Sequence, residues 1–249
     1  MNTPEQQQID HWLTVSRRDI DQTWQAYKDG YYKREDIPIQ SVYTGTAMDY
    51  ADLAHAKFLN GDTLASVRRE FATAAECIIK GFTMAYDPSD PDYVGDEPAP
   101  EESNGSAYGY VDWADVGETT AIEGFNYALM AADFDLGRKL AHWFQDPGDG
   151  DPMAPDVNRY THALKYALLG EKGQGSALLQ QTIDEYTAQP PSKDSGAMNY
   201  FTLSLTLSGI LRNDETLFNQ GLALILKFYR EVMIPSEDMW DPVGSRMIT

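Results

Sequence analysis

At 249 residues the chain is long enough for one large domain or two small ones, and a hydrophobic content of 42% can build a substantial core. A net charge of -20 and a pI near 4.4 argue against direct binding to nucleic acid or to an anionic membrane, because the electrostatic attraction that drives such binding would carry the wrong sign. The polar residues 1–10 show no leader pattern and no run approaches the roughly 18 apolar residues of a membrane span, so a soluble cytoplasmic protein is expected.

A first helix is predicted from Thr3 or Pro4 to Lys28, with Thr3 as cap, Pro4 in the first turn, and Ile9, Trp12, Leu13, Ile20, Trp24 and Tyr27 on one face. Gly30 ends it, and 33–36 reads as a short connection. A second helix starts at Ser41 or Thr46 and runs to Leu59. Asn60-Gly61-Asp62 closes it, and Asp62 or Thr63 caps a third helix that continues to Tyr86, where Asp87-Pro88 stops it. Cys77, the sole cysteine, excludes an intramolecular disulfide and lies among Ala74, Ala75, Ile78 and Ile79, the setting of a buried inert thiol.

From Asp87 to Asp115 the helical period is lost, and Pro88, Pro91, Gly95, Pro98 and Pro100 mark a long loop. Loops of this length are usually either functional or disordered. Helical pattern returns from Glu118 to Ala132, and a turn at 133–135 leads to a helix ending near Phe144. Hairpins follow at 156–187, turning at Gly170–Gly173, and at 196–232, turning at Arg212–Asp214, with an irregular tail from Pro235. The turns near 134, 171 and 213 lie about 40 residues apart, the period of stacked helical hairpins. The expected fold is all-α, an irregular, repeat-like stack of antiparallel helical hairpins forming a single domain over 1–249, with an acidic insertion at 87–117.

Charge is concentrated in one stretch. From Gly81 to Gly137 there are 13 acidic residues and no Lys, Arg or His, whereas residues 1–80 and 138–249 are nearly balanced. Tyr86, Tyr93, Tyr108, Tyr110 and Trp113 are threaded through it. A charge run is most often a solvating excursion. Here the balance elsewhere and the retained aromatics favour a contact surface instead. Asp90, Asp92, Asp96, Glu97, Glu101, Glu102, Asp112 and Asp115 are expected to supply the field, with Tyr108, Tyr110 and Trp113 as apolar anchors. A basic protein is the natural partner.

Catalytic and metal motifs are sparse. Asp49, Asp52 and His55 share a helix face at i, i+3 and i+6, but without a matching element on another helix they read as an ordinary surface. Asp146-Pro-Gly-Asp-Gly-Asp151 imitates a calcium loop, yet the twelfth position is Val157 and not Glu. Asp87-Pro-Ser-Asp-Pro-Asp92 imitates a diphosphate motif, but its prolines are incompatible with the helix that motif needs. With no nucleophile elbow, glycine-rich phosphate loop, HExxH or CxxC, no enzymatic activity, cofactor or metal is expected.

The stacked hairpins, the first helix rich in Trp and Tyr, the run Tyr50-Ala-Asp-Leu-Ala-His-Ala-Lys-Phe-Leu-Asn-Gly-Asp62 and the run Phe125-Asn-Tyr-Ala-Leu-Met-Ala-Ala-Asp-Phe-Asp135 resemble bacterial toxin-immunity proteins, above all the immunity protein 49 family, over residues 40–230. The resemblance implies a cytoplasmic antitoxin that binds one cognate toxin domain, often a nuclease, and carries no catalytic residues of its own. The competing expectation is a helical-repeat scaffold that holds a protein or peptide in its groove.

Overall fold

Side-chain caps set many of the helix ends. In α1 (Pro4–Lys28) the Gln6 N–H donates to the Thr3 hydroxyl at 3.2 Å. Gly30, at φ +67°, then turns the chain into a single helical turn, α2 (Tyr31–Arg34), where a connection was expected. Pro38 directly precedes α3 (Ile39–Leu59), so this helix begins before Ser41: a proline at the boundary has no N–H to leave unpaired. Gly61, at φ +79°, closes α3, and Thr63 accepts from the Ser66 N–H at 3.3 Å to open α4 (Leu64–Tyr86). Asp133 caps α6 (Phe134–Trp143), which follows α5 (Glu118–Met130).

The computed structural model describes residues 3–94, 113–145 and 154–233, and among these every regular element is helical. The expected all-α architecture is therefore observed. The breaks expected at 146–152 and beyond Pro235 fall largely or wholly outside the described residues. Packing divides the described residues into two compact units, one within Met1–Asp151 and the other within Pro152–Thr249, where the sequence reading treated 1–249 as one domain. No helix among the described residues is long and apolar enough to cross a membrane.

In the first unit α3 lies between α1 and α4. Leu53 and Ala56 meet Ile9, Leu13 and Ile20 of α1, while Ile39 and Val42 meet Met84 of α4. Buried on more than one side, α3 has no single apolar stripe, and its buried alanines (Ala47, Ala51, Ala54, Ala56) leave room for neighbouring helices to approach. Lys57 and Glu70 form an ion pair at 2.5 Å between α3 and α4, both side chains about nine-tenths buried. On its other side α4 carries α5 and α6. Phe144 meets Phe82 and Phe125 edge to face with ring centroids 6.2 and 6.3 Å apart, and all three are fully buried. Gly124 is required there: a Cβ would stand 2.5 Å from Leu140 and 2.6 Å from Ile78. Cys77 is buried as expected, and burial pushes its thiol up to about 12, which keeps it an unreactive thiol.

The second unit contains α7 (Pro155–Leu169), α8 (Lys172–Ala188), α9 (Gly196–Arg212) and α10 (Glu215–Phe228), the last continued by a π-helical turn, Tyr229–Met233. Gly170 at φ +82° and Asn213 at φ +54° make the two hairpin turns. Helix α7 is tied to α8 by Tyr186 donating to Asp156 at 2.9 Å and by the Arg159–Glu185 pair at 2.7 Å. Between α9 and α10 the approach is closest, and a Cβ at Gly209 or Gly221 would overlap the backbone of Phe218 or Thr206 respectively.

Candidate interaction site

The described ends of the acidic insertion form two stems, 87–94 and 113–116, and both are bonded to the α3–α4 pair. At the first, Asp87 accepts from the Ser89 N–H at 2.9 Å and from its hydroxyl at 2.7 Å, a side-chain turn that follows directly on α4. The chain then folds back so that the Val94 N–H donates to the Met84 carbonyl at 2.9 Å, and the Val94 side chain packs on Ile39, Val42 and Met84. Asp90 sits under this turn with its side chain 8% exposed. Its carboxylate accepts from Lys80 Nζ, from Thr83 Oγ1 at 2.7 Å and from the Asp92 N–H at 2.9 Å. Lys80 also reaches Asp92 at 2.9 Å.

Burial alone would raise the Asp90 carboxyl, but the hydrogen bonds from Lys80, Thr83 and the Asp92 N–H, with the charge of Lys80, outweigh it and hold the group below the usual carboxylate range. Burial likewise works against the charge on Lys80, and the two carboxylates overcome it and raise the ammonium.

At the second stem a 3₁₀ turn, Trp113–Val116, leads into α5. Ser41 in the first turn of α3 donates to the Asp115 carboxylate, and Val116 is fully buried. Ser41 and Lys80 thus fasten opposite ends of the insertion to adjacent helices.

Among the residues expected to contact a partner, Asp90 is an internal anchor, Asp115 is half-buried and bonded to Ser41, and Asp92 is 44% exposed while pairing with Lys80. Trp113 opens the 3₁₀ turn. Asp96, Glu97, Glu101, Glu102, Tyr108, Tyr110 and Asp112 lie outside the described residues. Sequence reasoning missed Lys80. Its signal was position: it is the last base before 57 residues that contain none.

A cleft of about 570 Å³ opens beside the first stem, between α4 and α6. Ile79, Leu136 and Trp143 line it together with Glu76, Asp87 and Asp90 and with Lys80 and Lys139.

A second acidic face involves α1, α3 and α5. Burial, reinforced by Asp19 and Asp52, pushes the Asp49 carboxyl up to about 6. Burial raises Glu123 as well, and burial with the charges of Glu123 and Asp52 raises Tyr127. His55, which shares the helix face of Asp49 and Asp52, meets Phe71 edge to face at 5.1 Å. Among the described residues no group of three or more His, Cys, Asp or Glu is arranged to hold a metal ion.

Comparison with protein-family models, curated proteins and solved structures gives no match.

Proposed function

We propose that this chain is an immunity protein: a cytoplasmic antitoxin, without catalytic activity of its own, that binds a cognate antibacterial toxin domain and covers its basic active-site surface with the acidic insertion. The observation that carries this reading is the run of 13 carboxylates without one base from Gly81 to Gly137, in a chain whose remaining charge is nearly balanced. Stems fastened at Lys80 and Ser41 support it, because a tethered charged segment loses less entropy on binding than a free one. A nuclease is the toxin class that fits. Its active site must attract a polyanion, and an acidic surface competes for the same site and accelerates encounter. The resemblance to the immunity protein 49 family points the same way.

In this reading Asp92, Asp96, Glu97, Glu101, Glu102 and Asp112 supply the field and Tyr108, Tyr110 and Trp113 the anchors, while Asp90 and Asp115 hold the stems. The test is capture from the source lysate at low and high salt, with bound proteins identified by mass spectrometry. Recovery of one basic nuclease-like domain, weakened by salt and by converting the six field residues to Asn or Gln, is expected. Recovery of a partner indifferent to both changes would sink the proposal.

A second reading, a scaffold that binds an apolar peptide, draws on the second unit. Leu222 and Leu226 of α10 are each 38% exposed, and a groove of about 160 Å³ lies between Met198, Leu224, Phe228 and Val232. A salt-insensitive partner lost on replacing Leu224 by Asp would favour it.

A further inference from the structure

We propose that the cleft between α4 and α6 is a receptor for an arginine side chain of the basic partner, an assignment that rests on the antitoxin reading and gives its contact a second point of attachment beside the acidic insertion. Charge and shape both favour a guanidinium. Lys80 is already held by Asp90 and Asp92, so it offers little to an incoming anion. Of the remaining charged groups on the wall, Glu76 and Asp87 are acidic and Lys139 basic, leaving the site net negative. Asp87 keeps its turn-forming bonds on one oxygen, Oδ1, so the other can accept a new donor. Glu76 is exposed at the rim.

The uncharged part of the wall suits the same ligand. Trp143, at the end of α6, is half-buried with Ile79 and Leu136 in the same cleft, and an indole face is the preferred aromatic partner of a guanidinium. The aliphatic stem of an arginine covers apolar surface while its head reaches a carboxylate at one end of the cleft. A lysine could satisfy a carboxylate, but its compact ammonium has no planar face to lay against the indole. The volume, within the usual range for small-molecule pockets, accommodates the side chain and part of the backbone that bears it.

The experiment is a titration of the full-length 15N-labelled protein with N-acetylarginine amide, followed at the Trp143 indole N–H resonance, which Trp143→Phe identifies. Saturable movement of that resonance is expected, with none from the uncharged isostere N-acetylcitrulline amide. Glu76→Gln, a substitution at an exposed helical position, should raise the half-saturating concentration about two- to fivefold, the effect of losing one partly exposed charge contact. Equal responses to arginine and citrulline, movement with N-acetylaspartate amide instead, or no movement at all would each overturn the assignment. The probe is a free amino-acid derivative, so this result bears on the cleft alone. The capture experiment bears on the antitoxin reading, and either can fail without the other.

Discussion

Replacing Lys80 by Met keeps the aliphatic stem and removes the ammonium that holds the first stem of the insertion. Asp90 would then sit 8% exposed without its cation, retaining only the Thr83 hydroxyl and the Asp92 N–H. Removing one partner of a buried ion pair costs about 3–5 kcal/mol. Lys80 is 23% exposed and two neutral donors remain, so we expect about 2–3 kcal/mol of destabilisation in the first unit. The sign with pH follows from the depressed Asp90 carboxyl. Its stabilisation is complete above the ordinary carboxylate range and is lost as pH falls through its own lower value, so the difference between wild type and variant should close in acid. Urea unfolding at neutral pH and at successively lower pH measures this, and hydrogen exchange at the Asp92 and Val94 amides reports the stem directly. In a cycle with Asp90→Asn, the double variant should recover at least about 1 kcal/mol of the summed losses. A Lys80→Met protein within about 0.5 kcal/mol of wild type, or strictly additive substitutions, would refute the clamp.

Three further outcomes are expected. Lys57→Met should cost about 2–3 kcal/mol by leaving the buried Glu70 with only the exposed Arg69 at 3.3 Å, whereas Lys57→Met with Glu70→Leu should be nearly neutral, as denaturant midpoints will tell. Gly209→Ala and Gly221→Ala should each cost about 3 kcal/mol, because a Cβ would meet backbone across the α9–α10 contact; Gly173→Ala, with open space around it, should instead gain about 0.5–1 kcal/mol. Asp49→Asn should stabilise the protein at neutral pH and have little effect near pH 4. The fold holds this carboxyl at about 6 against an ordinary 3.8, so native protein binds the extra proton between those values and wild-type stability falls as pH rises through them. At a half-exposed site, solvent screening reduces the gain to about 1 kcal/mol, and thermal unfolding at the two pH values checks it.

Much of the helical framework was legible in the sequence because helix ends are local. Thr3, Gly61, Asp133, Gly170 and Asn213 each act on residues within a few positions, through a cap bond or a left-handed turn. The misses had physical causes too. Helix α2 is a single turn, too short to show a period, and α8 begins at Lys172, before the expected Gln174, although two glycines follow; a Cβ at Gly175 would stand 3.1 Å from the Ala163 carbonyl, so a glycine there lets α7 and α8 approach, a contact no local pattern reveals. At the candidate site composition revealed the excess of acid but not which carboxylates are already engaged. Asp90 and Asp92 look alike in the sequence, yet one is an anchor beneath a turn and the other is 44% exposed.

By itself, the sequence determined that this protein is helical, where most of its helices turn, and that its negative charge is concentrated between Gly81 and Gly137. Tertiary structure alone decided that Ser41 meets Asp115 across 74 positions, that Gly124, Gly209 and Gly221 are contact points between helices, and that Glu76, Asp87 and Trp143 line one cleft. The physical reason is range. Capping and periodicity act over one or two helical turns, whereas burial, ion pairing and close helix approach depend on which surfaces meet, and that follows from packing the whole of each unit.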